Sequence, residues 1–176
     1  NAVWIVNWTS GTLQKFNAST GAQIGSNITT GAGPRGVAYD ATQNAVWVVN
    51  NASSTLQKFN ASTGVQIGLV YTGAQNALVR ASNGDIYMGA DFGKFGKYSS
   101  AGVFTDLTSK ISSFWSTDIV YTLAYDATNN VVYLGGANSR FAKYTISTDI
   151  ATNLVSKISS FWVASYDVRA LTFATN

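Results

Sequence analysis

The residue types on which most enzymes depend are scarce in this 176-residue chain. It contains no histidine and no cysteine, and all 8 of its acidic residues are aspartates. A Ser-His-Asp triad, a thiolate metal site and a paired-glutamate acid/base system are therefore excluded. Nothing in the sequence pairs two aspartates either. We predict a protein without catalytic residues.

The aspartates do not form a metal-binding motif. Asp40, Asp85 and Asp126 lie around predicted hairpin turns in separate parts of the chain. Calcium loops need several oxygen ligands close together in sequence, as in a dense Asp-x-Asp pattern. Such a pattern does not occur here, so we predict no metal site and no cofactor.

Five residues have the chemistry to bind a ligand. Four of them fall at equivalent positions at the start of predicted strands, near the mouth of the central channel that a ring of such strands would enclose: Arg35, Asn76, Tyr121 and Arg169. Two guanidinium groups, an amide and a phenol suit a carboxylate or a sugar. The alternative is that these groups plug a narrow channel and satisfy backbone carbonyls. Trp8 lies in a predicted loop, where an exposed indole can stack on a sugar ring.

Two further tryptophans follow a packing pattern. The segment SKISSFW occurs twice, at residues 109–115 and 156–162. Its apolar residues are spaced i, i+3 and i+4, which is typical of one helical turn. We predict that Ser or Thr caps this turn and that Trp115 and Trp162 pack against the sheets.

Four lysines recur in register, each followed by Phe or Tyr: Lys15, Lys58, Lys97 and Lys143. A ring of lysines would suit an anionic polymer. Inheritance of a repeat explains the register equally well, with the lysine stems lying over apolar surface. The formal net charge of +3 is too small to indicate nucleic-acid binding. We predict a structural role for these lysines and no nucleic-acid partner.

Five N-glycosylation patterns occur at predicted turns or loops, at Asn7, Asn17, Asn27, Asn51 and Asn60. Asn17 and Asn60 also have a turn-forming explanation. A surface rich in Asn, Ser and Thr and poor in charge is typical of a secreted protein, so we predict an extracellular or cell-surface location. No apolar run reaches the roughly 18 residues of a membrane helix, so we predict no membrane insertion.

A sequence repeat must position these residues. NAVWIVN at residues 1–7 returns as NAVWVVN at residues 44–50, and each copy is followed by TLQKFNASTG, from Thr12 and from Thr55. Two weaker copies run through residues 84–98 and 130–144. Four copies in 176 residues give about 44 residues each, which is the length of a β-propeller blade.

Each copy divides into four short strands separated by turn residues. In the second copy we predict strands at residues 36–40, 45–50, 55–60 and 65–71. The second of these strands is apolar on both faces, so both faces must be covered. β-branched residues dominate the apolar runs, which argues against a helical repeat. The pattern predicts an all-β protein, a four-bladed β-propeller with four-stranded antiparallel blades.

We predict a single domain, residues 1–176, in which the C-terminal strand completes the N-terminal blade. Residues 171–176 followed by residues 1–4 parallel residues 123–133, so a final strand at 170–174 would remove the open edge of the first blade. The alternative is a strand-exchanged dimer with eight blades. The predicted blades are residues 169–176 with 1–28, then 35–71, 76–107 and 121–155.

The segment from Gly33 to Gly64 resembles the blade consensus of NHL repeats, YVTN surface-layer repeats and virginiamycin B lyases. The matching positions are Pro34-x-Gly36-Val37-Ala38-x-Asp40, Val46-Trp47-Val48, Leu56-x-Lys58-Phe59 and Thr63-Gly64. The resemblance implies a propeller, although such families usually have six or seven blades. The lyases use a histidine and a glutamate, and because this chain has neither, the resemblance implies no catalytic residue here.

Three functions are compatible with these features. The absent catalytic residue types and the polar, uncharged surface favour a non-enzymatic extracellular module for surface-layer, filament or adhesion contacts. The loop tryptophan favours the alternative, a carbohydrate-binding, lectin-like propeller. The third is a lyase-like propeller enzyme, which would need an Asp with a perturbed pKa beside an Arg. The predicted partners are proteins, including copies of the same chain, or glycans.

Overall fold

The computed structural model describes residues 1–68, 70–73, 76–115, 117–158 and 167–172. These residues form antiparallel sheets almost throughout, together with two single-turn helices. The chain divides into two compact units, Asn1–Gln75 and Asn76–Asn176, called here the first unit and the second unit. Across the described ranges, neither helix has the length and apolar character needed to span a membrane.

The described residues of the first unit form two sheets. The strands are β1 (Ala2–Asn7), β2 (Thr12–Asn17), β3 (Ile28–Thr29), β4 (Pro34–Asp40), β5 (Ala45–Asn50), β6 (Thr55–Asn60) and β7 (Tyr71–Thr72). One sheet has the order β1-β2-β3 and the other the order β4-β5-β6-β7. The two sheets share one register, with Trp4 opposite Lys15 and Trp47 opposite Lys58. The near-identical sequences therefore form the same hairpin twice.

The tight turns after β2 and β6 follow from local sequence. Asn17 and Asn60 each use Oδ1 to accept the backbone N–H groups two and three residues further on, at 2.8 to 3.0 Å. Gly21 and Gly64 complete these turns with φ of +70° and +73°, which glycine adopts without a steric penalty. Both are the Asx-type turns that the sequence predicts.

The fourth strand of the second sheet is shorter than predicted. We expected a strand over residues 65–71, but among the described residues of this segment the pairing with β6 is limited to the strand Tyr71–Thr72 and a single bridge from Gln66 to Phe59. Gly68 has φ of +69°. Because this conformation turns the chain away from an extended path, it interrupts the pairing of this segment with β6.

β5 forms the centre of the first unit's core, and all of its residues are buried. β4 and β6 flank its two edges, and Leu13 of the neighbouring sheet packs with Val46 and Val48. β1 has nearly the same sequence, yet Val3 and Ile5 are 48% and 45% exposed. Val3 and Ile5 correspond to Val46 and Val48, which Leu13 of the neighbouring sheet covers, so the difference lies in what faces these side chains and not in the strand sequence.

The described residues of the second unit also form two sheets, with the orders β11-β10-β9-β8 and β12-β13-β14-β15. Their elements are β8 (Ala77–Arg80), β9 (Ile86–Gly89), β10 (Phe95–Tyr98), β11 (Phe104–Asp106), α1 (Thr108–Ile111), β12 (Val120–Asp126), β13 (Val131–Gly136), β14 (Phe141–Thr145), β15 (Ile150–Asn153) and α2 (Val155–Ile158).

An aromatic cluster fills the core of the second unit. The rings of Tyr87 and Phe95 stack with centroids 6.0 Å apart, and the Tyr144 ring lies 5.9 and 5.4 Å from them. Burial raises the pKa of both tyrosine hydroxyls above its ordinary value. Ile111 and Trp115, which are 0% and 1% exposed, belong to the same core. The first SKISSFW segment therefore packs as its spacing predicts.

The predicted Ser or Thr cap is absent from α1, which is wholly described. Its N-cap residue is Leu107, which makes no side-chain capping hydrogen bond. Asp106 Oδ1 instead accepts the Thr108 N–H at 2.8 Å. Hydrogen bonds with Thr108 lower the pKa of Asp106 below its ordinary value. In the second copy of the segment, Trp162 lies outside the described residues, so its packing stays a prediction.

Residues 167–172 lie against the sheet of β12 and β13. The Val168 N–H donates to Gly136 O at 2.9 Å, and the Leu171 N–H donates to Thr122 Oγ1 at 3.1 Å. Residues 170–172 of the predicted C-terminal strand are not part of a β-strand, and residues 173–176 lie outside the described residues. Completion of the first blade by this segment therefore stays a prediction.

Candidate functional site

Two of the predicted ligand-binding residues lie at β-bulges. The pairing of β4 with β5 shifts register at Arg35, and the pairing of β12 with β13 shifts at Tyr121. A bulge leaves one residue outside the ladder and redirects its side chain, and bulges often lie beside functional sites. The equivalence of these two positions is visible in the sequence, but the bulges are not.

Tyr121 and Arg169 come together in the second unit. The guanidinium carbon of Arg169 lies 4.6 Å from the centroid of the Tyr121 ring, within the range of a cation–π interaction. Arg169 Nη2 also lies 2.6 Å from Asp167 Oδ2, and the Arg169 side chain is 64% exposed. This pair therefore lies at the surface of the unit.

The remaining two predicted channel-mouth residues have different surroundings. Asn76 is only 2% exposed, and its Nδ2 donates to Asp91 Oδ1 at 2.7 Å. Its role in the structure is to hold the loop that contains Asp91. Arg35 is exposed and belongs to the first unit, whereas the other three belong to the second. Of the four predicted channel-mouth residues, Tyr121 and Arg169 are the pair that the structure brings into contact.

The loop between β9 and β10 presents an exposed phenylalanine that no sequence pattern indicates. Phe92 is 72% exposed and has φ of +57°, a region in which a bulky side chain is strained. The Ala90 N–H donates to Lys94 O at 3.0 Å, which closes a tight turn around this residue. Neither burial nor turn preference accounts for a phenylalanine at this tip.

Asp118 ties the Phe92 loop to its neighbours. Its carbonyl accepts the Gly93 N–H at 2.8 Å and the Trp115 Nε1–H at 3.0 Å. Its carboxylate accepts hydrogen bonds from Asn138 Nδ2 at 2.6 Å and Arg140 Nε at 2.5 Å. One residue thus joins three loops of the second unit. No sequence motif marks it, because its partners are far apart along the chain.

Trp8 lies in the loop between β1 and β2 and is 49% exposed. Asn7 Oδ1 accepts the N–H groups of Thr9 and Ser10, each at 3.1 Å, and the Gly11 N–H donates to Asn7 O at 3.0 Å. These bonds form an Asx turn that fixes the loop. The predicted exposure of Trp8 is therefore present in the structure.

The backbone of Gly33 supports one edge of the Trp8 indole. Gly33 has φ of +62°, and a Cβ atom built on it would lie 2.9 Å from Trp8 Cη2 and 2.9 Å from Ala52 Cβ. Only a glycine leaves room for this contact without displacing the ring. The indole is therefore seated on one side and open to solvent on the other.

The repeated lysines lie over aromatic rings on the adjacent strand. Nζ lies 5.2 Å from the ring centroid for Lys15 over Trp4, 5.0 Å for Lys58 over Trp47 and 5.8 Å for Lys97 over Tyr87. The strand register also places Lys143 opposite Tyr133. Such pairs are attractive because a cation interacts with the face of the ring. This arrangement is the structural role that we predict for these lysines.

The asparagines of the five N-glycosylation patterns lie at strand ends and in turns. Asn7, Asn17 and Asn60 each use Oδ1 to accept turn N–H groups. Asn27 Oδ1 accepts hydrogen bonds from two glutamine amides at 3.0 and 2.8 Å, and Asn51 is partly buried. Glycosylation at these positions stays a prediction.

The turn aspartates bind backbone groups. Asp126 Oδ1 accepts the N–H groups of Thr128 and Asn129 at 2.9 and 3.1 Å. Burial by itself would raise the pKa of Asp126, but hydrogen bonds from these residues outweigh it, so the pKa lies below its ordinary value. Asp40 forms the same kind of turn, and Asp85 is paired with a lysine. Within the described ranges, no three acidic side chains are grouped to hold a metal ion.

No protein-family model and no curated protein matches this chain. Solved structures do match it. The WD40 repeats of RRP9 align with 86% of this chain and 47% of that chain, with a TM-score of 0.70 and 12% identity. A nidogen/laminin complex aligns with 87% and 60%, with a TM-score of 0.71 and 14% identity. Hydrazine synthase of Kuenenia stuttgartiensis aligns with 86% and 45%, with a TM-score of 0.72 and 10% identity.

These likenesses show the fold, and this chain spans about half the length of the structures it matches. The chain is an all-β protein with the fold of a β-propeller. The described residues form four successive antiparallel sheets, two in each unit, which confirms the predicted four-bladed propeller. At 10 to 14% identity the likenesses identify no particular propeller family.

Proposed function

We propose that this chain is a non-catalytic, extracellular binding module that contacts other proteins, as a domain of a surface layer, a filament or an adhesion protein. Phe92 is the observation that carries this proposal, because it is a large apolar side chain held out into solvent on a fixed loop. The resemblance of Gly33 to Gly64 to surface-layer repeats supports the same function.

The geometry of the Phe92 loop is suited to a protein interface. Aromatic residues are enriched in interface cores and among the residues that contribute most to affinity. The bonds from Gly93 and Trp115 to Asp118 hold the loop in place, so little conformational entropy is lost on binding. Strained backbone at an exposed, ordered tip is found most often at functional sites.

Photocrosslinking tests this proposal. The photoreactive residue p-benzoylphenylalanine replaces Phe92 in one variant and Val103 in the control, because Val103 is 63% exposed in a different turn of the same unit. We expect protein adducts at position 92, formed with a second copy in purified material or with another protein in native material. The control should form none. Equal adduct formation at the two positions, or none at 92, would contradict the proposal.

Replacing Phe92 by glycine separates binding from stability. Glycine adopts a φ of +57° without strain, so we expect Phe92→Gly to unfold at the same urea concentration as the wild type or a higher one, with a gain of up to about 1 kcal/mol. The same variant should lose the protein contact. A variant that is destabilised while its contacts are retained would show that Phe92 has a structural role instead.

Glycan binding is the second candidate function, and the half-exposed Trp8 favours it. The lyase-like alternative would need an aspartate available beside an arginine. Among the described residues two pairs have this composition, Asp118 with Arg140 and Asp167 with Arg169. The Asp118 carboxylate also accepts a bond from Asn138 and joins loops together, and the pair of Asp167 and Arg169 lies at the surface of the second unit. We therefore propose no enzymatic function.

A further inference from the structure

A shallow depression surrounds Trp8 on the first unit. It has a volume of about 420 Å³, within the range of small-ligand sites. It is lined by Trp8, by three glycines and one alanine, and by the hydroxyl-bearing residues Thr9, Ser10, Thr29 and Thr30. None of these residues carries a charge, and four of them carry hydroxyl groups. The depression thus combines one large aromatic surface with neutral hydrogen-bonding groups.

Hydrogen bonds between the segments that line the depression fix its shape in the absence of a ligand. The Thr30 N–H donates to Gly11 O at 2.9 Å, which joins the Trp8 loop to the segment after β3. The Gly31 N–H donates to Gln57 Oε1 at 2.7 Å, and the same oxygen accepts a bond from the buried Asn50 at 2.9 Å. A Cβ on Gly31 would lie 2.8 Å from Asn50 Nδ2, so this position too requires glycine.

We propose that this depression is a binding site for a neutral saccharide, with Trp8 as its stacking surface. A pyranose ring has an apolar C–H face that packs on an indole and hydroxyl groups at its edge that pair with Ser, Thr and backbone groups. The absence of charged groups among the lining residues disfavours sugar acids, phosphates and nucleic acids, which are recognised through Lys and Arg. This site is separate from the Phe92 loop and does not depend on the protein contacts proposed above.

The repeat supplies a matched control for Trp8. The equivalent position of the second copy, whose surrounding strands are nearly identical in sequence, is Asn51. Trp8→Asn therefore places at this loop a residue that the same hairpin already accommodates. Trp8→Phe, which keeps an aromatic ring of smaller area, is the second variant.

The experiment is a titration of the full chain, produced without glycosylation, with five neutral trisaccharides and one charged one. The neutral probes are xylotriose, cellotriose, maltotriose, mannotriose and triacetylchitotriose, and the charged probe is trigalacturonic acid. The readout is the NMR signal of the Trp8 indole N–H, identified as the indole signal that Trp8→Phe lacks. We expect at least one neutral trisaccharide to shift this signal saturably, with a Kd at or below about 1 mM.

The variants decide between binding at Trp8 and binding elsewhere. Because Trp8→Asn and Trp8→Phe lack the Trp8 indole signal, the affinities of the wild type and all variants are compared by isothermal titration calorimetry. Trp8→Asn should weaken the affinity at least about tenfold, Trp8→Phe should weaken it less, and Phe92→Gly should leave it unchanged. Three results would each overturn the proposal: no neutral probe shifts the Trp8 signal, Trp8→Asn binds as tightly as wild type, or trigalacturonic acid binds best. Loss of protein contacts in Phe92→Gly with unchanged saccharide affinity would show that the two proposals concern different sites.

Discussion

Many asparagine and aspartate side chains in this protein accept hydrogen bonds from backbone N–H groups close by in the sequence. Asn7, Asn17 and Asn60 accept N–H groups at the ends of strands, and Asp40 and Asp126 do the same in other turns. These contacts span two or three residues, so they follow from local sequence. The Asp126 carboxylate adds a dependence on pH that the asparagines do not.

The lowered pKa of Asp126 predicts a loss of stability in acid. Because the native state holds the charged form more strongly, the unfolded state binds more protons below its ordinary pKa of 3.8. The contribution of Asp126 is therefore complete above this value and is lost as the pH falls through the lower native pKa. We expect urea unfolding at pH 3 to show a smaller difference between wild type and Asp126→Asn than at pH 6. Parallel losses in the two proteins would contradict this assignment.

Loops at the ends of the strands carry the candidate binding groups. Contacts between elements hold these loops in one conformation. Asp118 is the clearest case, since its backbone carbonyl holds the β9–β10 loop and its carboxylate holds the β13–β14 loop. The Phe92 tip and the Arg140 turn are thus held by different atoms of one residue. A change confined to the side chain should release one loop and leave the other.

Asp118→Ala tests this division. We expect amide hydrogen exchange at Arg140, whose N–H donates to Ala137 O at 3.1 Å, to become about tenfold faster, because the charge-assisted bonds to the turn are lost. Exchange at Gly93, which donates to the Asp118 carbonyl, should change little. Asp167→Ala, which removes the partly buried partner of Arg169, is the control and should affect neither loop. Equal acceleration at Gly93 and Arg140 would show that the side chain orders both loops.

For the whole molecule, the sequence repeat predicts a ring of four blades in which residues 170–174 complete the first blade. Leu171 matches Val37 and Leu123, which pair with Val48 and Leu134 on the next strand. By the same register Leu171 would pair with Ile5.

Disulfide trapping tests the predicted closure, since the chain has no cysteine of its own. We expect Ile5→Cys with Leu171→Cys to form an intramolecular disulfide, because directly opposed strand residues lie within bonding range. Val3→Cys with Leu171→Cys, displaced by two residues, is the control and should cross-link poorly. A cross-linked dimer would favour the strand-exchanged alternative, and no cross-link in either pair would contradict closure by this strand.

The sequence by itself determined the all-β fold class, the Asx turns and the packing of Trp115, because these depend on residue types and spacings within a few positions. It also determined the four-fold repeat, because the copies can be compared directly along the chain. Only the tertiary structure decided that nearly the same strand sequence is buried in β5, between β4 and β6, and half exposed in β1. It also revealed the bulges at Arg35 and Tyr121, the strained Phe92 tip and the Asp118 contacts. Burial, register shifts and long-range hydrogen bonds depend on which segments become neighbours in space, and no local pattern in the sequence encodes them.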